Sequence, residues 1–176
     1  MNNKGLVLWF TGFSGAGKTT VADKVNEALE NKGITVQRLD GDLVRQVLTR
    51  DLGFSKEDRD INIERVAFVA ELLSKHGIIV LATFISPYRR HRELVKSKAN
   101  NFAEIFVNAP LETCERRDVK GLYKKARAGE IKDFTGISDP YEVPDNPDLI
   151  LNTHEEDIDE SVQKVIDYLN KSGYIK

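Results

Sequence analysis

Only one cysteine, Cys114, occurs in 176 residues, so no disulfide can close within the chain and no thiolate cluster can hold a metal. His76, His91 and His154 are scattered and give no ligand spacing either. Excess charge of one sign is also missing. The 26 basic side chains face 28 acidic ones, a net charge of -2, and no global field draws the chain to nucleic acid or to an anionic membrane. No apolar run reaches the roughly 18 residues that a bilayer-spanning helix needs. The run "LVLWF" soon meets Gly12 and has neither a basic flank nor a small-residue cleavage site, so no leader is expected. Repeats and low-complexity tracts are absent. These absences set the expectation of a cytoplasmic protein with no nucleic-acid or membrane partner, and the length and 40% hydrophobic content fit one domain, 1–176.

What is present alternates. "LVLWFTG", "TVQRLDGD", "GIIVLATFI", "FAEIFVNAP" and "DLILNT" read as five strands, and the unbroken apolar character of the third predicts burial on both faces, as in a parallel sheet. Between them, Lys18 to Lys32 has helical period and ends at Gly33. Ser55 to His76 opens on a capping-box pattern, Ser55 and Asp58, and Asp157 to Lys171 carries an apolar stripe. Strand alternating with helix predicts right-handed crossovers and a doubly wound α/β sheet. Val119 to Asn146 breaks the alternation with Lys, Arg, Gly, Asp and Pro, and a connection that long is read as a lid, centred on about 114–137.

The chemistry starts at Gly12-Phe13-Ser14-Gly15-Ala16-Gly17-Lys18-Thr19-Thr20. It fits G-x-x-x-x-G-K-[ST] without mismatch, after a strand and before a helix. Glycines let backbone N–H groups turn inward as an anion nest, Lys18 reaches outer phosphates, and the Thr19 hydroxyl can ligate magnesium. A dinucleotide fingerprint is excluded, because Thr20 stands where its third glycine belongs. The strand "GIIVLATFISP" ends on Ser86 and Pro87 with no carboxylate, so the acid must come from Asp40-Gly41-Asp42 at the end of the second strand. One carboxylate could hold magnesium water while the other accepts a proton from an attacking hydroxyl; the plain alternative is a turn with a helix N-cap. In the helical segment after Ser55 the stripe Val66, Val69, Ala70 and Leu73 extends backward onto Asn62 and Arg59, polar where core is expected. That pattern predicts a polar cleft, or a salt bridge from Arg59 to Asp40 or Asp42. Ser86 before Pro87 reads as an N-cap.

The P-loop, "LDGDLVR", "LGFSKEDRDINIERVAFVA", "FISPYRRHRE" and above all "DVKGLYKKARAGEIKDFTG" together resemble the adenylyl-sulfate kinase family. That resemblance implies a three-layer P-loop kinase fold and transfer of the γ-phosphate of ATP, with Mg2+, to the 3′-hydroxyl of adenylyl sulfate. It implies ATP phosphates on Gly12 to Thr20, magnesium near Thr19 and Asp40, and Asp42 beside the acceptor hydroxyl. Arg45, Arg59 and Asn62 would hold the phosphosulfate, and Phe54 and Phe134 would sandwich the acceptor adenine. Ile85, Ser86, Lys120, Lys124 and Ile137 fill further acceptor-side positions. Ser86 matches the serine that the family designates a phosphoserine intermediate, and is expected to act in catalysis beside Lys18 and Asp42 without obligatory phosphorylation. A homodimer is implied. The arginines of "YRRHRE" depart from the lysine and acid expected there. The basic cluster from Arg116 to Lys132 suits two anionic substrates. A nucleotide-sensing module without catalysis and a kinase of another small acceptor are the competing readings.

Overall fold

The computed structural model describes residues 4–176. Strand β1 (Leu6–Thr11) is buried along its whole length, and its alternating side chains feed two cores. Leu6, Leu8 and Phe10 join Val21, Val25 and Leu29 of α1 (Lys18–Glu30) and Val165 and Leu169 of α7 (Ile158–Lys171) on one face. Val7 and Trp9 join Ile63, Val66 and Ala70 of α3 (Lys56–Lys75) and Val95 of α4 (Arg89–Lys98) on the other. A strand buried on both faces needs apolar residues at every position, which is why the pattern shows no period of two.

The other strands are β2 (Val36–Asp40), β3 (Ile79–Thr83), β4 (Phe102–Asn108) and β5 (Leu149–Asn152), all parallel, in the order β2-β3-β1-β4-β5. With β1 central, the loops after β1, β2 and β3 open at the same carboxyl edge, where ligand crevices form in such sheets. Among the described residues no helix is long and apolar enough to cross a membrane.

Local chemistry sets the helix ends. Ser55 caps α3 by accepting from the Asp58 N–H, though Asp58 does not complete the reciprocal half of the box. Asp157 and Glu160 do form a full capping box at α7. Three short helices lie where the sequence pattern picks out no element: α2 (Gly41–Val47) follows β2 directly, α5 (Leu111–Arg117) follows β4, and α6 (Leu122–Arg127) lies within the long connection. The expected N-cap role of Ser86 is not realised, since α4 begins at Arg89 and Tyr88, in extended backbone, stands at the N-cap. Ser86 has φ 41, the left-handed region, where a cap needs extended backbone.

Candidate active site

The first loop shows why its glycines are needed. A Cβ on Gly12 would sit 2.4 Å from the Val107 carbonyl oxygen, and Gly17 enters α1 at φ 103. Lys18 is nearly buried, and its ammonium donates to the carbonyls of Gly12 at 2.8 Å and Phe13 at 2.7 Å. Burial pushes its pKa down to about 8. The helix N-terminus and this buried cation together form a site built for anionic oxygens.

Asp40 realises the N-cap reading of the acidic pair and also meets the phosphate loop. Its Oδ1 caps α2, accepting from the N–H groups of Asp42 and Leu43. Its Oδ2 accepts from Thr19 Oγ1 at 3.0 Å and Thr83 Oγ1 at 2.9 Å. Although partial burial opposes it, these hydrogen bonds hold the carboxyl below the usual range. Asp42 projects from the first turn of α2 and is two-thirds exposed, paired with Lys120 from the long connection.

Arg59 and Asn62 are buried, as the break in the stripe implied, but Arg59 pairs with Asp139 at 3.1 Å and not with Asp40 or Asp42. Its Nη1 also donates to Thr135 Oγ1 and its Nε to the Phe54 carbonyl, while Nη2 donates to the Asp133 carbonyl. A guanidinium has five N–H donors, so these bonds leave a single Nη2 hydrogen for a ligand. Asn62 accepts from Thr49. Arg45 lies over the Phe54 ring at 4.2 Å and donates to the Gly53 carbonyl.

These groups share one cavity of about 760 Å³, within the size range of small-molecule sites. Gly15, Gly17, Lys18, Thr19 and Thr20 line it beside Asp40 and Asp42. Arg45, Phe54, Arg59, Asn62, Ile85, Ser86, Lys120 and Phe134 form the other end. Lys124 and Ile137 are not in its wall; Lys124 is exposed on α6, and Ile137 packs against the core around β1. Phe13 likewise turns away, against Tyr141 at 4.9 Å. Sequence reasoning missed a third wall, in which Arg117, Thr153 and Ile158 close the space beyond the phosphate loop. Arg117 donates to the carbonyls of Gly15 and Thr153, which join across the chain only in the fold.

Ser86 accepts from Trp9 Nε1 at 3.0 Å and donates to Thr11 Oγ1 at 3.0 Å, so its hydroxyl is engaged inside the protein. Its strained backbone is held by Arg92, whose Nη1 donates to the Ser86 carbonyl at 2.7 Å.

A phosphate-binding loop opening into a cavity that runs on past two phenylalanines and two arginines is the arrangement of a P-loop kinase, an ATP-dependent phosphotransferase. The model of the adenylylsulphate kinase family matches residues 4–152, and the chain belongs to that family. An adenylyl-sulfate kinase of Halothermothrix orenii is 64% identical over 174 residues, 99% of this chain and 94% of that one. One from a Picosynechococcus species is 57% identical over 175 residues, 99% of each chain. The solved structure of the Mycobacterium tuberculosis APS kinase CysC in complex with AMPPNP and APS superposes with a TM-score of 0.91 at 49% identity, covering 95% of this chain and 98% of that one.

Proposed function

We infer that the protein transfers the γ-phosphate of ATP to the 3′-hydroxyl of adenylyl sulfate, giving 3′-phosphoadenylyl sulfate and ADP. The observation that carries this reading is a single cavity joining a complete phosphate-gripping loop to a second slot lined by Phe54, Phe134, Arg45 and Arg59. Gly12 to Thr20 hold the triphosphate, and the donor base lies toward Arg117, Thr153 and Ile158. Phe54 and Phe134 stack the acceptor adenine, while Arg45, Arg59 and Asn62 face its phosphosulfate. Ile85 and Lys120 flank it; Lys124 and Ile137 support α6 and the 134–139 turn behind the wall. Asp42 takes the proton of the acceptor hydroxyl, and Ser86 shapes the turn beneath it without carrying the phosphoryl group.

Magnesium fits the residues present. Thr19 Oγ1 and Asp40 Oδ2 bring hard oxygen donors within 3.0 Å of each other, and magnesium is usually held by one or two such groups plus phosphates and water. When bound, it neutralises charge on the phosphates. The 114–137 segment acts as a lid that excludes water and suppresses ATP hydrolysis.

Two further assignments belong to this reading. The single buried cysteine suits a reducing compartment, and we place the enzyme in the cytoplasm. Ile61, Phe68 and Leu72 form an exposed apolar stripe on α3, and Leu43 and Val47 form another on α2. Arg65, between Ile61 and Phe68, reaches Leu48 and Asp51 just past α2, so the stripes adjoin and support a homodimer. Sedimentation should give the mass of two chains; a single-chain mass overturns the assignment.

A coupled assay of adenylyl sulfate phosphorylation tests the function: turnover supports it, and tight binding without turnover or indifference to adenylyl sulfate overturns it. In the same assay Phe134→Ala should weaken acceptor binding by about 1–3 kcal/mol, the worth of one stacked base, with ATP binding kept. An unchanged acceptor KM would remove the sandwich.

A further inference from the structure

Asp139 does not line the cavity, yet it joins both ends of the acceptor slot. Its side chain is 7% exposed, and Oδ2 accepts from Arg59 Nη1 at 3.1 Å and from the Tyr88 hydroxyl at 2.8 Å. Burial first, and then this bond, push the Tyr88 pKa up to about 12, so Tyr88 remains a donor. The main chain of Asp139 closes a turn as well: its N–H donates to the Phe134 carbonyl at 3.1 Å, and its carbonyl accepts from the Gly136 N–H at 2.7 Å. Within that turn Thr135 Oγ1 accepts from Arg59 at 3.0 Å, and the same guanidinium holds the Phe54 carbonyl at 2.9 Å. A planar guanidinium cannot rotate in its plane without releasing all of these partners together. One carboxylate therefore fixes the fork that ties together the backbones of both phenylalanines and the arginine between them.

We propose that Asp139 is a positioning residue that sets the spacing between the purine-stacking phenylalanines and the Arg59 grip, and so determines how well a ligand that spans both is held. The proposal rests on the acceptor assignment above. A ligand that engages two sites gains from their linkage only when their separation matches its own length, so misplacement penalises the two-ended ligand and spares a one-ended one.

Asp139→Asn removes the charge and leaves only a weaker, neutral amide oxygen to hold Arg59 and Tyr88, which loosens the fork without a change of size. Loss of negative charge beside Arg59 would by itself tighten an anionic acceptor, whereas a lost spacing weakens it, so the two effects differ in sign. We expect adenylyl sulfate to bind about tenfold more weakly, by KM and by calorimetry, while inhibition by adenosine, which reaches only the aromatic slot, and the KM for ATP change by less than about twofold. Tyr88→Phe, which leaves every charge in place, should shift the same balance in the same direction by a smaller factor, and it decides the matter if the Asn variant does not fold. Equal weakening of adenylyl sulfate, adenosine and ATP, or adenylyl sulfate bound as well as before or better, overturns the proposal. A wild-type chain that binds adenylyl sulfate without phosphorylating it would count against the assigned reaction only, because the binding comparison still reads the spacing. A wild-type chain that does not bind it overturns both.

Discussion

Lys18→Ala is expected to lower turnover by about a thousandfold or more, the scale of losing a preorganised charge at a developing anion in a dry site, while leaving the fold intact. The ammonium is buried and meets only two loop carbonyls, at 2.8 and 2.7 Å. Its pKa lies near 8, below the ordinary 10.5, chiefly because burial disfavours the charged form. A lysine whose folded pKa is depressed opposes folding wherever it is charged, and that penalty fades as pH rises from about 8 toward 10.5. The alanine variant should thus melt no lower than wild type at neutral pH, and its stability should respond less to pH in that window. ATP oxygens would raise this pKa again, so above about pH 8 wild-type binding takes up a proton and weakens as pH climbs. Calorimetry on either side of that value, for wild type and variant, checks both statements. Undiminished turnover in the variant, or ATP affinity equally independent of pH in both, would remove Lys18 from its role.

Asp42→Asn should lower kcat by about 10²- to 10⁴-fold, the usual worth of a positioned general base, with ATP affinity nearly unchanged. The amide has the same shape and keeps the backbone N–H that Asp40 accepts from at 3.0 Å, so α2 retains its start. What it loses is the capacity to take a proton. Removing the carboxylate also frees Lys120, its ionic partner, which can only favour anionic ligands. Any loss of turnover is then separable from loss of binding, and single-turnover kinetics with both substrates saturating provides the check. Wild-type kcat in this variant would show that the acceptor hydroxyl surrenders its proton elsewhere.

Strands β1 and β3 were legible because parallel strands buried on both faces leave unbroken apolar runs, and both are buried at every position. Strands β2, β4 and β5 are only partly buried and were read from shorter apolar stretches between helical segments. Helix α2 was not, since its seven residues are too few to establish a period and follow β2 without a break. Arg59 and Asn62 were legible as polar interruptions of an apolar stripe. Their partners were not, because Asp139 lies 80 positions from Arg59 and no local pattern records a contact that only folding creates. The same reason hid the wall of Arg117, Thr153 and Ile158, which carries no spaced motif. Ser86 misled in the opposite sense. Serine before proline is a good cap signal, but its hydroxyl is engaged here by Trp9 and Thr11, far away in sequence, and its carbonyl by Arg92 in the helix that follows.

Trp9 is the only indole in the chain, fully buried and stacked at 5.0 Å on Phe84, with its Nε1 donating to the Ser86 hydroxyl. Nature has thereby placed one ultraviolet fluorophore directly beneath the floor of the chamber. Its emission offers a label-free optical record of substrate arrival, undiluted by any other chromophore of its kind.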